Sequence, residues 1–152
     1  MDLKLKDKRA LITGSTQGIG YAIAEGLARE GAEVILNGRS KAKLDAAVAR
    51  LKPSAPRVSG IAADLGTAAG VADLLGKLGA VDILVNNLGI FEPKPFLEIP
   101  DEDWQRFFDV NVMSGVRLSR ALLPHMIEQN WGRIIFISSE SGLNIPAEMV
   151  HY

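Results

Sequence analysis

The stretch Arg9-Ala10-Leu11-Ile12-Thr13-Gly14-Ser15-Thr16-Gln17-Gly18-Ile19-Gly20 decides the fold. It opens with a short apolar run that stops at a glycine, which is typical of a buried strand. Apolar residues then recur at helical spacing, at Ile19, Ala22, Ile23 and Leu27. Unpaired N–H groups at the start of a helix attract anions, so this turn is suited to a nucleotide pyrophosphate. A plain strand-to-helix turn would use the same glycines.

The remainder of the chain alternates apolar strand patterns with helical ones. Four further strands are predicted, over 33–37, 58–63, 81–86 and 133–138. Helices are predicted after an N-cap at Ser40, around 71–78 and over a long stretch, 101–130, with Trp104, Phe107 and Phe108 in its core face. This alternation predicts an α/β fold with a doubly wound (Rossmann) parallel sheet, three αβα layers and strand order 3-2-1-4-5. We expect one dinucleotide-binding domain over residues 1–152.

Composition excludes several classes of protein. The 152 residues are 47% hydrophobic and 23% charged, with a net charge of -1. No basic surplus exists to bind a nucleic-acid backbone, and no apolar run approaches a membrane span. The absence of cysteine excludes zinc-thiolate sites, and His125 and His151 do not have metal-ligand spacing, so no metal is expected. The start of the chain does not resemble a secretory signal, and we expect a soluble, cytoplasmic protein.

Four motifs follow one another in a specific order. The glycines at 14, 18 and 20 fit T-G-x-x-x-G-x-G, and Asn86-Asn87-Leu88-Gly89 follows the fourth strand. Asn111 lies within the long helical pattern, and Ser139 precedes Tyr152 by 13 residues. In all four respects the chain resembles the N-terminal part of the short-chain dehydrogenase/reductase family, with leucine in place of alanine in N-N-A-G.

The resemblance stops at the family's Y-x-x-x-K motif. Tyr152 is the final residue of the sequence. We therefore expect the family's lysine, the helix that bears it, at least one further strand and the substrate-binding segment to be missing. The fifth strand would then be left as an apolar edge that favours aggregation.

The resemblance implies hydride transfer between a nicotinamide dinucleotide and a small carbonyl or alcohol substrate. Tyr152 would be the general acid or base, Ser139 would hydrogen-bond the substrate oxygen, and Asn111 would hold a water in the proton relay. Each residue also has a simpler interpretation. Ser139 and its neighbour Ser138 could cap the end of a strand, Asn111 could mark a helix kink, and Tyr152 could be an exposed terminal residue.

The resemblance also implies a set of cofactor contacts. These are Gly14, Ser15, Thr16, Gln17, Gly18, Ile19, Gly20, Arg39, Asp64, Leu65, Asn87 and Gly89. Asp64 would bind the adenine amino group, although it could equally cap the turn that follows. Gly38 stands where proteins that bind NAD place a carboxylate, and Arg39 suits a 2′-phosphate. NADP(H) is therefore preferred and NAD(H) possible, with Gln17 standing where many NADP-preferring relatives have a basic residue.

Three functions stay open at this point. The first is an NADP(H)-dependent oxidoreductase resembling a 3-oxoacyl carrier-protein reductase or a sugar or alcohol dehydrogenase. The second is a truncated dinucleotide-binding module without turnover, and the third is a fragment that pairs with an intact subunit. Residues 101–130 are too apolar for one sheet-facing stripe, which predicts an interface, and the resemblance implies a homodimer or homotetramer of the full-length protein. The residues concerned are Val110, Val112, Met113, Val116 and Leu118.

Overall fold

A computed structural model describes residues 3–152, in which five parallel strands form one sheet. The strands are β1 (Arg9–Ile12), β2 (Glu33–Gly38), β3 (Val58–Ala62), β4 (Ile83–Asn86) and β5 (Arg133–Phe136). Their order is β3-β2-β1-β4-β5, which confirms the predicted doubly wound topology. The strand bounds differ from the predicted ones by two residues at most.

Helices cover both faces of the sheet. They are α1 (Gly18–Arg29), α2 (Lys41–Leu51), α3 (Ala68–Leu78), α4 (Asp101–Phe108) and α5 (Ser114–Glu128). Ser40 caps α2, since its hydroxyl accepts the Lys43 N–H at 3.4 Å.

Alternation along the strands gives the sheet two separate cores. Ala10 and Ile12 belong to the core that includes α1 and α2, whereas Leu11 belongs to the core under α3 and α5. Successive side chains of a strand point to opposite faces, so a strand buried on both faces must be apolar throughout. This is the physical origin of the continuous apolar runs in the sequence.

The predicted long helix is interrupted once. Asp109–Met113 form a π-helical turn between α4 and α5, and Asn111 lies at its centre. A π turn adds a residue to the helical cycle and is common at functional sites. The interruption expected at Asn111 is therefore present in the structure.

The prediction that all three aromatic residues of α4 lie in the core was wrong for two of them. Phe107 is buried, but Trp104 is 39% and Phe108 is 51% exposed. Successive residues of a helix point about 100° apart, so Phe107 and Phe108 cannot both face the interior. Phe107 packs against the buried His151 with 4.2 Å between ring centroids, which fixes the C-terminal segment on α4.

Among residues 3–152, the fifth strand lies at the edge of the sheet and pairs only with β4. Ile135 and Phe136 are 44% and 55% exposed, so the predicted apolar edge is present.

Within residues 3–152, no helix is both long and apolar enough to cross a membrane.

Candidate active site

The glycine turn lies at the carboxyl edge of the sheet, between β1 and α1. Gly14 and Gly18 have φ values of +58° and +60°, a region that favours glycine. Gly20 is constrained by space instead, because a Cβ there would lie 2.5 Å from Asn87 Nδ2 and 2.7 Å from the Gly14 carbonyl oxygen. The turn can therefore pack against the loop after β4 only with glycine at position 20.

The start of α1 is open to an anion. The N-cap residue Gln17 makes no side-chain capping bond, and no acidic residue occupies the first turn. A Cβ at Gly18 would meet no atom within 4 Å. Free N–H groups and the positive end of the helix dipole therefore face open space.

Thr13 and Asn87 join the glycine turn to the loop after β4. The Thr13 hydroxyl oxygen accepts the backbone N–H groups of Asn87 and Leu88, each at 2.9 Å. The Asn87 side-chain amide donates to the carbonyl oxygens of Thr13 and Gly14, each at 3.0 Å. The amide hydrogens of Asn87 therefore hold the turn, and its side-chain carbonyl oxygen is the group left for a ligand.

Asn37, which was not among the predicted site residues, joins the glycine turn to the end of β3. Its buried side chain accepts the Gly14 N–H at 3.4 Å and donates to the carbonyl oxygens of Ile61 at 3.1 Å and Ala63 at 3.3 Å. A polar residue at the end of an apolar strand was the only feature of the sequence that could have indicated this role. Its importance comes from partners 24 and 26 residues away.

Two predicted cofactor contacts have side chains that point into the protein. Ser15 is fully buried, and its hydroxyl donates to the Ile12 carbonyl oxygen at 2.7 Å and accepts the Asn37 N–H at 3.0 Å. Leu65 is 1% exposed within the core that includes α3. Neither side chain is therefore free to meet a ligand, whereas Gln17 and Ile19 are exposed.

The three predicted catalytic residues line one cavity of about 520 Å³ beside the glycine turn. Asn111, Ser139 and Tyr152 reach it from the π turn, the loop after β5 and the C-terminal segment. Ile19, Asn87 and Gly89 line the same cavity. Among the described residues its lining includes no charged side chain.

The polar groups of Asn111 hold the backbone of the loop after β4. Its side-chain oxygen accepts the Ile90 N–H at 2.7 Å, and its amide nitrogen donates to the Ile90 carbonyl oxygen at 2.9 Å. Asn111 thus joins the π turn to the cavity wall. The role predicted for it in a proton relay stays a prediction.

Ser139 and Tyr152 keep hydroxyl groups that a substrate could use. The Ser139 oxygen accepts the Ser141 N–H at 3.2 Å, so the hydroxyl caps a short turn as the simpler interpretation proposed, and its proton stays free to donate. Tyr152 is 41% exposed, and its hydroxyl makes no hydrogen bond within residues 3–152. Ser138, the alternative to Ser139, also lines the cavity.

A second cavity of about 510 Å³ adjoins the first, since Ile90 lines both. Arg39 and Asp64 lie on its wall. The guanidinium of Arg39 makes no ion pair or hydrogen bond within the described part of the chain. Asp64 accepts the Gly66 N–H at 3.1 Å and so caps its turn, while still facing the cavity.

Charged residues fix the loop between β4 and α4. Lys94 pairs with Asp103, and Arg106 pairs with Glu92 at 2.8 Å. The hydrogen bond from Lys94 lowers the pKa of Asp103, and that from Arg106 lowers the pKa of Glu92. The Lys94 backbone N–H also donates to the Glu148 carbonyl oxygen at 2.7 Å, which joins this loop to the segment before Tyr152.

Comparisons with known proteins agree with this architecture. Residues 8–152 match the family model described as short chain dehydrogenase. The chain is 54% identical to the uncharacterized oxidoreductase YvaG of Bacillus subtilis and 39% identical to D-beta-hydroxybutyrate dehydrogenase of Cupriavidus necator. These alignments cover 100% and 97% of this chain, but 58% and 59% of those proteins.

A solved structure has the same fold. L-sorbose reductase from Gluconobacter frateurii, complexed with NADPH and L-sorbose, superposes with a TM-score of 0.94 at 38% identity. The match covers 100% of this chain and 60% of that one. The chain thus spans about three fifths of the length of these relatives.

Asn37→Asp should destabilise the protein by at least about 2 kcal/mol at neutral pH, because a buried carboxylate would face two carbonyl oxygens. Burial raises the pKa of the introduced carboxyl above its unfolded value, so the folded state binds the extra proton and the loss should shrink as the pH falls. Urea unfolding at two pH values measures both effects. Asn144→Asp, the same change at an exposed site, should alter stability by less than about 0.5 kcal/mol. Equal losses for the two variants would contradict the role given to Asn37.

Proposed function

Because the chain belongs to the short chain dehydrogenase family, we propose that the complete protein is an oxidoreductase that uses a nicotinamide dinucleotide and a small carbonyl or alcohol substrate. The observation that supports this most is the gathering of Asn111, Ser139 and Tyr152 around one cavity at the carboxyl edge of the sheet. The open start of α1 lies beside that cavity, since Ile19 lines it. The proposed dinucleotide site and the proposed proton-transfer site would therefore adjoin.

The described residues fit a dinucleotide. The backbone N–H groups at Gly18, Ile19 and Gly20 would hold the pyrophosphate, because among residues 3–152 nothing caps them and no side chain fills the space at Gly18. Asp64 and Arg39 would hold the adenosine end in the second cavity. When bound, the nicotinamide would supply or accept the hydride.

The same residues favour NADP(H) over NAD(H). Arg39 is a cation with no partner among the residues that the structure describes, and Gly38 offers no carboxylate that would bind a ribose hydroxyl or repel a phosphate. Among structural relatives, the L-sorbose reductase has NADPH and a 3-oxoacyl (acyl-carrier-protein) reductase of Agrobacterium tumefaciens has NADP bound. Gln17 is neutral, so Arg39 is the residue on which this preference depends.

The protein's part in the chemistry is to move the proton. In carbonyl reduction, the Tyr152 hydroxyl would give its proton to the substrate oxygen as the hydride reaches the carbon, and in alcohol oxidation it would take that proton back. Ser139 would donate its free hydroxyl hydrogen to the same oxygen and stabilise the developing charge. Asn111 would hold a relay water while its side chain keeps Ile90 in place.

Tyr152, Ser139 and Asn111 would not choose the substrate, which would depend on other residues of the site. Relatives are named for hydroxybutyrate, gluconate and L-sorbose, which are different substrates on a shared framework. The neutral lining of the catalytic cavity suits the uncharged carbonyl or alcohol group that all such reactions share. The framework therefore supports the type of reaction more than any one substrate.

We further propose that copies of the protein associate through the α4–α5 surface. An exposed apolar stripe follows one side of these helices: Phe108, Val112, Val116, Leu123 and Ile127. Leu118, which the sequence suggested for this surface, is buried instead. The stripe continues across the π turn and is the kind of contiguous apolar surface that marks an interface.

Arg39→Ala should weaken NADPH binding by roughly 10–150-fold, since a charged hydrogen bond contributes about 1.5–3 kcal/mol. NADH affinity should hardly change, because NADH lacks the phosphate. Fluorescence titration of both dinucleotides measures the difference. Arg29→Ala, which removes an exposed arginine at the far end of α1, is the control and should change neither affinity. Equal losses for NADPH and NADH on removal of Arg39 would contradict the assignment.

Tyr152→Phe in the full-length protein should abolish ketone reduction and leave NADPH affinity unchanged, because only the transferable proton is lost. Tyr21→Phe alters the other tyrosine within residues 1–152 and should retain turnover. A polypeptide that ends at Tyr152 should bind the dinucleotide without turnover, since it lacks the lysine that the Y-x-x-x-K motif places four residues further on. Activity of the Tyr152→Phe protein would show that another group handles the proton.

Val116→Arg should shift the protein towards monomer in light scattering, because it places a charge within the exposed apolar stripe. Ala49→Arg introduces the same charge on the exposed face of α2 and should leave the assembly unchanged. A parent protein that is already monomeric at micromolar concentration would contradict the proposed surface.

A further inference from the structure

We propose that the γ-methyl group of Thr16 restricts position 38 to glycine, so that a carboxylate can be accommodated there only if Thr16 also changes. The inference deepens the proposed function and rests on it, because it concerns the choice between NADP(H) and NAD(H). Arg39 would select the 2′-phosphate by attraction. Thr16 would act on the same choice by occupying space.

The obstruction comes from a single atom. A Cβ added to Gly38 would lie 2.5 Å from Thr16 Cγ2, a separation that side chains cannot tolerate. The same Cβ would lie 3.7 Å from Thr16 Oγ1 and 3.8 Å from Thr16 Cβ, which are ordinary contacts. Gly38 does not have a positive φ, so space explains the glycine and backbone strain does not.

The two backbones are held together and cannot separate to make room. The Ser15 N–H donates to the Asn37 carbonyl oxygen at 2.9 Å, and the Asn37 N–H donates to the Ser15 hydroxyl at 3.0 Å. These bonds join the residues that directly precede Thr16 and Gly38. On its other side, Gly38 is paired with β3 through the Ala63 N–H, which donates to its carbonyl oxygen at 3.2 Å.

The side chain of Thr16 has little freedom of its own. It is branched at Cβ, so its one rotatable bond has few accessible positions in a tight turn. A residue larger than glycine at position 38 therefore needs either a forced rotation of Thr16 or a shift of a hydrogen-bonded strand. Either change costs stability.

The consequence for the ligand follows from what a carboxylate at the end of β2 would do. In folds of this type such a group binds the ribose 2′-hydroxyl of NAD and repels a phosphate in that place. With Thr16 present, position 38 cannot supply it. Arg39 lines the second cavity and has no ion pair within residues 3–152, so it would be available to a phosphate.

Thermal unfolding of the full-length protein tests the steric part without any ligand. Gly38→Ala should lower Tm by roughly 3–9 °C in the parent, from the usual cost of overpacking. Combined with Thr16→Ser, which removes only the obstructing methyl, the same change should have almost no effect. Combined with Thr16→Val, which keeps a branched side chain, the penalty should persist. Equal penalties in all three backgrounds would overturn the proposal.

Dinucleotide titration then tests specificity. Gly38→Asp together with Thr16→Ser should bind NADH about tenfold more tightly than Gly38→Asp alone, because the carboxylate gains room to accept a charged hydrogen bond. Equal NADH affinity of the double and single variants would overturn the proposal while leaving the proposed function intact. A parent protein that binds neither dinucleotide would overturn the proposed function itself, and the thermal measurements would still report on the steric contact.

Discussion

Buried polar groups at the carboxyl ends of β1, β2 and β4 have to satisfy one another, and the candidate site depends on this requirement. The Thr13 hydroxyl accepts two N–H groups from the loop after β4, while Asn87 returns two hydrogen bonds to the glycine turn. Asn37 ties the same turn to the end of β3. Leaving any of these groups without a partner would cost stability, so the turn has one well-defined position.

The two cavities beside the glycine turn share part of their wall. Ile90 lines both, and Asn111 holds its backbone through two hydrogen bonds. The π turn places Asn111 at this point, where a regular helix would have continued unbroken. A local irregularity in a helix thus determines the shape of a site built mainly by strand ends, which is consistent with the frequent occurrence of π turns at functional positions.

The segment that ends in Tyr152 is positioned by contacts of a different kind. His151 packs against Phe107 on α4, and the Glu148 carbonyl oxygen accepts the Lys94 N–H from the loop after β4. The aromatic contact is apolar, whereas the ion pairs of Lys94 and Arg106 lie near the surface and contribute less to stability. The buried ring of His151 anchors the segment that carries Tyr152, although neither ring nitrogen has a hydrogen-bond partner among the described residues.

The sequence by itself determined the strand order and the glycine turn, and its motifs predicted three residues that line one cavity. Continuous apolar runs, helical spacing and motif order are local properties that survive in the one-dimensional pattern. Only the tertiary structure decided which face of α4 is buried, that Ser15 and Leu65 point inward, that Asn37 joins two strands, and that Thr16 fills the space beside Gly38. Each of these facts depends on atoms far apart in sequence that come within a few ångströms, and such contacts leave no periodic signal.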